Sequence, residues 1–479
     1  MNERNPETLA ASRVVRRPLG AALVAASLLA GCSLIPAYER PAAPVPQTFD
    51  ADRPAAAPEL PAAAEALPDW QNYFPDPALH ALVEAALASN RDLRIALGRV
   101  EEARALAGVA RADRFPTLAA QAEGSRSRTP ADLSNTGSAR TSGRYDANLG
   151  VTAFELDFWG RVAALSDAAR AQYLASDEAA RSFRVGLIGD VVGAWYQLAA
   201  LAEQSLLADD TLKTREDSLD LIRKRHDVGL ASDLDVLAAE SLVETVRAQS
   251  VDLKRQRAQT ENALRLLTGM AAPVPAAPVV SNLPPLAELA PGLPSEVLLR
   301  RPDVRAAEQR LIASNANIGA ARAAFFPRIA LTGEFGTASG ALSGLFGSGS
   351  TAWLFQPMLS LPLFDAGRNQ ANLEVAQARK VQAVADYEKS VQQAFREVVD
   401  ALAARTTYRD QLTAQEANLR AQLARLERVK AREHAGISSY LEVLDASRDA
   451  FGAQQTVVTT RLQLQSARIA LYKALGGGG

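Results

Sequence analysis

"HAGISSYLEVLDASR", residues 434–448, has a counterpart in "DVGLASDLDVLAAES", residues 227–241, with Gly, Ser, Leu, Val, Leu and Ala at matching places. Both come at the end of a run of cations: Arg223, Lys224, Arg225 and His226 precede Gly229, and Arg428, Lys430, Arg432 and His434 precede Gly436. Cations complement the negative end of a helix, and Gly takes the left-handed conformation that terminates it. Ser232 and Ser439 then offer N-cap oxygens to a second helix, and Ser439 with Glu442 has the S-x-x-E spacing of a capping box. Each stretch therefore predicts the tip of a helical hairpin, and the chain makes two.

The correspondence extends outward from the tips. "NRDLRIA" at Asn90 aligns with "RPDVRAA" at Arg301, and "RADRFP" at Arg111 with "RAAFFP" at Arg322, at a shift of 211 residues. Gly160-Arg161 aligns with Gly367-Arg368, and Gly269 with Gly476, at a shift of 207. The change of shift places a length difference between "FP" and "GR", where loops belong. Each half reads as helix, strand-like region, long helix, tip, long helix. After each "GR" the chain lacks Pro until the inter-half linker or the chain end, and it is rich in the strong helix formers Ala, Leu, Gln, Arg and Glu. Leu412, Leu419, Leu423 and Leu426 keep the spacing of a coiled-coil seam, and Leu212, Leu219 and Ile222 keep it more weakly. The stretch from Gly160 to Gly229 is about 70 residues, or roughly 100 Å of continuous helix.

Between "FP" and "GR" the period is two. "YDANLGVTAF" from Tyr145 sets Tyr, Ala, Leu, Val and Ala on one face against Asp, Asn, Gly, Thr and Phe, and "RIALTGEF" from Arg328 sets Ile, Leu, Gly and Phe against Arg, Ala, Thr and Glu. Polar Gly- and Ser-rich segments at 125–143 and 336–350 divide each region into two strands, four per chain. An apolar face backed by a polar one suits a membrane β-barrel, with lipid outside and water within. The strand pattern alone fits a small soluble sheet with one core face equally well. Trp159, Trp353, Phe158, Phe355 and Phe364 near strand ends are candidates for interfacial belts. The smallest membrane barrels have about eight strands, so a barrel reading requires several chains.

Composition limits the remaining classes. The chain of 479 residues has a formal net charge of −2 and no long charge run, so nothing suggests nucleic acid. Arg13, Arg16 and Arg17, the apolar run 19–30 and the only cysteine, Cys32, read as a signal peptide over 1–31. The apolar run is about a dozen residues against the roughly 20 that a spanning helix needs, and no other stretch reads as one. "LAGC" ending at Cys32 resembles the lipobox of bacterial lipoproteins. That resemblance implies a covalent N-terminal lipid on Cys32, the one modification expected, and Ser33 after it favours the outer membrane. Residues 32–67 form a Pro- and Ala-rich tether, and a second Pro-rich stretch, 272–294, separates repeat 1 (68–271) from repeat 2 (295–479). One cysteine allows no intramolecular disulfide.

The lipobox, the "YERPAAPVP" tether, "LPSEVLLRRPDVRAAE" from Leu293, the paired "FP" and "GR" signals and "AGISSYLEVLDASR" together resemble the TolC-like outer-membrane efflux proteins, lipoprotein branch. The resemblance runs from about Cys32 to Gly476. It implies a mixed α and β membrane protein, a homotrimer with a shared 12-stranded outer-membrane β-barrel and a long periplasmic α-helical barrel. It further implies a passive duct that exports drugs or other small molecules, docked through its tips on a periplasmic adaptor and an inner-membrane transporter of the proton-driven type. A metal-cation efflux outlet, a type I protein secretion outlet and a lipid-anchored structural coiled coil without a pore are the alternatives.

Carried over by residue, Glu442 and Asp445 fall on the acidic positions of the periplasmic constriction and Arg448 on a basic position nearby. Three subunits would repeat each charge around one axis. Ser438 stands where TolC has a gating Arg, which departs from an ionic latch of that type. Asp233 and Asp235 suit their own helix N-terminus as well as a constriction. Gly229, Gly436, Ser232 and Ser439 mark the tips where an adaptor would dock. For catalysis the chain offers little: His226 and His434 sit in basic helix ends, and there is no HExxH, Walker or G-x-S-x-G motif, so no enzyme, metal or further cofactor is expected.

Overall fold

The computed structural model describes residues 33–49, 68–271, 273–286 and 295–477. The signal peptide, Cys32, most of the tether and part of the inter-repeat linker lie outside the described residues. In chain order the elements are α1 (Pro77–Ser89), α2 (Arg91–Ala112), β1 (Leu118–Thr129), β2 (Arg140–Glu155), α3 (Arg161–Asp227), α4 (Asp233–Thr268), α5 (Pro302–Ala323), β3 (Arg328–Ser339), β4 (Thr351–Ser360), α6 (Arg368–His434) and α7 (Tyr440–Ala474). Both long helices, α3 and α6, run 67 residues. The chain divides into two compact units, one comprising the chain up to Pro41 with Glu101–Ala175 and Glu308–Ala385, the other the rest. Each repeat contributes to both.

The first unit holds a single antiparallel sheet in the order β1-β2-β3-β4. Directly paired residues share a face, so the registers decide what each face carries. Leu118, Ala120 and Ala122 pair with Val151, Leu149 and Ala147. Leu149 pairs onward with Phe335, and Phe335 with Trp353. The same face carries Leu331 with Pro357 and Ile329 with Leu359. The other face carries Gln121 with Asn148, Glu123 with Asp146, and Gly150 with Glu334. There Asn148 Nδ2 donates to Glu334 Oε2 at 2.8 Å. Gly150 permits the close approach, since a Cβ at that position would lie 2.7 Å from Glu334 Cγ. The apolar face is uncovered: Trp353, Leu118 and Phe335 are 74%, 70% and 66% exposed. Edge strand β4 departs from the pattern with Leu354 and Met358 on the polar side.

Within β2 the expected alternation fails at one place. Between Val151 and Phe154 the β2–β3 register shifts by one residue, with Ala153 at φ 50°. The extra residue is a β-bulge, which reverses the parity of the rest of the strand. Phe154, read from the sequence onto the polar face, instead pairs with Leu331 on the apolar one. Trp159, a candidate for the belt, stacks on Phe326 at 4.7 Å and donates from Nε1 to Pro327 O at 2.8 Å. It locks the "FP" of repeat 2 to the "GR" of repeat 1.

The "GR" signals mark helix starts that come after strands. Asp157 Oδ2 accepts from Ala163 N at 2.7 Å and Asp365 Oδ2 from Asn369 N at 2.9 Å, so each repeat caps its long helix with the aspartate ahead of its Gly-Arg. Arg161 and Arg328 both reach Glu155, at 2.7 Å each. The residues after Cys32 are strapped onto the same unit. Ser33 lies beside Gly160, Ile35 packs on the alanines of α3 and α5, Asn315 Nδ2 donates to Pro36 O at 2.7 Å, and Arg40 binds Glu308 through two hydrogen bonds.

The second unit is helical. Its core centres on α3, where Leu187, Ile188, Val191, Val192, Trp195, Tyr196 and Leu198 are all buried. An apolar window of this helix is long enough to cross a membrane, but most of it is buried within the protein, as in a core helix. Tyr73 stacks on Tyr472 at 4.8 Å and donates to Arg468 O at 3.1 Å, and burial pushes its hydroxyl pKa up to about 12. Arg301, 6% exposed, donates to Ala474 O at the end of α7 and to Asp303 and Glu397. Burial pulls its pKa down, and the two carboxylates more than offset this. The leucine seams depart from their ranking in the sequence. Leu219 and Ile222 of the weaker one are 8% and 1% exposed, whereas Leu423 of the stronger one is 38% exposed. Heptad spacing reports periodicity, and the burial is decided by α4 packing Val236, Ala239 and Val243 against Leu212 and Leu219.

Candidate functional site at the hairpin tips

Both tips lie in the helical unit and close in the same way. Gly229, at φ 74°, donates to His226 O at 2.8 Å, and Leu230 N donates to Arg225 O at 2.7 Å. Gly436, at φ 72°, donates to Glu433 O at 2.8 Å, and Ile437 N donates to Arg432 O at 2.9 Å. These are two Schellman motifs, each satisfying two orphan carbonyls of a long helix. A side chain at φ above +70° is strained, which is why the echoed stretches share their glycines.

The second helix of each hairpin begins differently. Ser232 Oγ accepts from Asp235 N at 3.2 Å while Asp235 Oδ2 accepts from Ser232 N at 3.0 Å, a complete capping box. Ser439 is an N-cap without a side-chain capping bond, so the box expected at Ser439 and Glu442 does not form. Glu442 only donates its N–H to Ser439 O at 3.2 Å. Asp235 is thus a capping residue. Its carboxyl is held below the usual range, first by the Ser232 hydroxyl and then by the Ser232 N–H. A depressed carboxylate pKa stabilises above the ordinary carboxylate range, and the contribution is lost as pH falls through the lowered value. Ser232→Ala is expected to destabilise the start of α4 by about 1 kcal/mol at neutral pH, and Ser439→Ala to cost much less. Amide hydrogen exchange at Asp235 and Val236 against Glu442 and Val443 checks this, and equal effects at the two tips would contradict it.

Among the charges expected at the constriction, Asp445, Arg448 and Asp233 have oppositely charged or histidine partners. Asp445 Oδ1 lies 3.3 Å from Arg448 Nη2, one helical turn on, and Arg448 also reaches Asp449 at 3.5 Å. Asp449 in turn accepts from Arg425 Nη1 at 2.8 Å. Asp233 lies 2.8 Å from His226 Nε2 across the first tip. Arg225 and Glu433 join the ends of α3 and α6 at 2.8 Å. Ser438, at the position of interest for a latch, has a buried Oγ without a hydrogen-bond partner among the described residues.

Sequence reading missed Arg215. It is 6% exposed, donates from Nη1 to Leu242 O at 3.0 Å, lies 5.6 Å from the centre of the Phe451 ring, and lines a cavity of about 190 Å³ with Tyr440 and Ser447. Burial, and then the charge of Arg448, pull its pKa down. No motif marks it, because one arginine in a charged helix reads as solvated. Its burial comes from α4 and α7, which close over it.

Known proteins share this fold. The family described as outer membrane efflux protein matches residues 82–270 and 293–477. The solvent efflux pump outer membrane protein SrpC of Pseudomonas putida is 46% identical over 459 residues, 94% of this chain and 96% of its own. The outer membrane protein OprJ of Pseudomonas aeruginosa is 46% identical over 459 residues, 95% of each chain. Among solved structures, a membrane protein from Pseudomonas aeruginosa superimposes with a TM-score of 0.87 at 44% identity, covering 93% of this chain and 98% of that one. The open state of the Neisseria gonorrhoeae MtrE outer membrane channel superimposes with a TM-score of 0.85 at 37% identity, again over 93% and 98%.

Proposed function

Because the chain belongs to the outer membrane efflux protein family, we propose that three copies join their four-stranded sheets into one twelve-stranded barrel and pass cargo through the common bore. The protein is the outer-membrane channel component of an efflux pump. The observation that carries the trimer reading is the sheet itself. It is open along β1 and β4, apolar and exposed on one face, and polar on the other. An open edge inside a bilayer leaves a row of N–H and C=O groups without water or partner, and closure with other chains removes that cost. Four strands are too few to close alone.

The helical hairpins extend into the periplasm on this reading. Their tips meet a periplasmic adaptor, and an inner-membrane transporter of the proton-driven type supplies the energy. The duct is passive and not an enzyme. Cys32 carries the lipid: its neighbour Ser33 is held beside Gly160, where β2 gives way to α3, a position that suits an anchor at the membrane surface. The relatives named for solvents, toluene and antibiotics favour small organic cargo. Purified protein run unheated on a denaturing gel is expected to migrate at about three chain masses and to collapse to one on boiling. A single-chain species in mild detergent, with native secondary structure, would contradict the shared barrel.

A further inference from the structure

The apolar face of the sheet ends in two arginines that a lipid-facing band does not use. On β1 the residues that share this face continue past Gly124 to Arg126 and Arg128, whose cross-strand partners are Gly143 and Thr141. Both arginines are exposed, and no hydrogen bond or ion pair engages either among the described residues. Of the two arginines of this hairpin on the opposite face, Arg140 and Arg144, the latter is paired with Asp146 at 2.8 Å.

Register sets their depth. A membrane strand spans the hydrocarbon with about 9–11 residues. On β3 that length is supplied by Ile329–Ser339, from the row shared with Leu359 to the row shared with Tyr145 and Gly124. The band is apolar through Phe335 and Trp353, turns to Thr337 and Thr351, and ends at Tyr145, an aromatic suited to the headgroup boundary. Arg126 lies two residues beyond that last row and Arg128 four. The β1–β2 turn is at the end of the strands opposite to α2 and α3, so with helices in the periplasm this end faces the exterior.

We infer that Arg126 and Arg128 form an outward docking surface for the phosphate groups of a glycolipid of the lipopolysaccharide class in the outer leaflet. The inference rests on the membrane-barrel reading above. Guanidinium forks match phosphate oxygens through two parallel hydrogen bonds, and both arginines are exposed to receive a headgroup, although the space over Gly143 is taken by Gly340 O. Continuity with the apolar face seats the acyl chains of the same lipid against Ala120, Ala122 and Leu149.

The test uses the full protein in phosphatidylcholine nanodiscs doped with lipid A, with bound lipid A counted by native mass spectrometry. Arg126→Gln/Arg128→Gln is expected to weaken lipid A binding about thirtyfold, and Arg144→Gln to leave it unchanged. Dephosphorylated lipid A is expected to bind wild type no better than the double variant binds lipid A. Equal binding by the double variant and wild type, or indifference to the phosphates, overturns the inference. Should the double variant fail to insert, Arg126→Lys/Arg128→Lys and the salt dependence of wild-type binding decide: binding that is insensitive to both salt and the lysine exchange overturns it. Failure of wild type to enter the discs at all would overturn the membrane reading itself.

Discussion

Trp195→Ala is expected to destabilise the helical unit by about 3–5 kcal/mol, the range for deleting a buried large aromatic side chain. Trp195 is fully buried, and its Nε1 donates to Asp76 Oδ2 at 2.7 Å. The other oxygen of Asp76 accepts from Ala78 N at 3.0 Å and caps α1. One carboxylate therefore ties the centre of α3 to the start of α1, and the alanine variant loses packing while leaving that carboxylate short of a donor. Trp195→Phe keeps most of the apolar area and removes the N–H, so it isolates the polar part at about 1–3 kcal/mol. Unfolding followed by circular dichroism should rank the midpoints wild type, Trp195→Phe, Trp195→Ala. A phenylalanine variant as weak as the alanine one would show that the Asp76 bond outweighs the packing.

The second large effect concerns conduction. Asp445→Ala is expected to raise single-channel current in a planar bilayer several-fold and to shift ion preference away from cations. An isolated acidic ring would predict only the loss of cation preference; the ion pair adds a sharper expectation. Asp445 is 3.3 Å from Arg448, so the alanine variant leaves a net positive charge in each subunit where there was a balanced pair. Two unit charges at 4 Å interact by about 1 kcal/mol even in bulk water and more near a protein surface, enough to alter ion selectivity severalfold once repeated around an axis. Arg448→Ala should move selectivity the opposite way, towards cations. If both variants shift selectivity in the same direction, the pair does not line the conducting path. If neither conducts although both are folded assemblies, the structural coiled coil becomes the better account.

Much of the architecture is legible in the sequence because each signal has a local physical cause. The echoed glycines announce Schellman turns, since the left-handed position disfavours a side chain. The Gly-Arg pairs announce helix starts, since an aspartate a few residues earlier caps each one. Strand faces obey the alternation up to Val151 and depart from it at Phe154, because a bulge is one extra residue whose cause lies in how β2 meets β3 rather than in β2 alone. Spacing assigns the capping box to Ser439 and Glu442, yet it forms at Ser232 and Asp235, where the same spacing is present with Asp in place of Glu. Arg215 and Arg301 are invisible as core residues for a related reason. Their burial depends on helices distant in sequence, and composition cannot say which arginine those helices will cover.

The open sheet also has a genetic consequence. On the trimeric reading proposed above, a chain that contributes four strands to a ring of three has no function to perform alone, so every working channel is a vote in which each member holds a veto. A variant that still pairs its β1 and β4 edges but obstructs the passage would be co-assembled with normal copies, and the fraction of intact channels would fall as the cube of the normal share. A variant that loses its pairing edges would drop out and leave the normal copies to assemble among themselves. Blocking alleles should therefore be dominant and edge-destroying alleles recessive, and drug susceptibility in a merodiploid strain distinguishes the two.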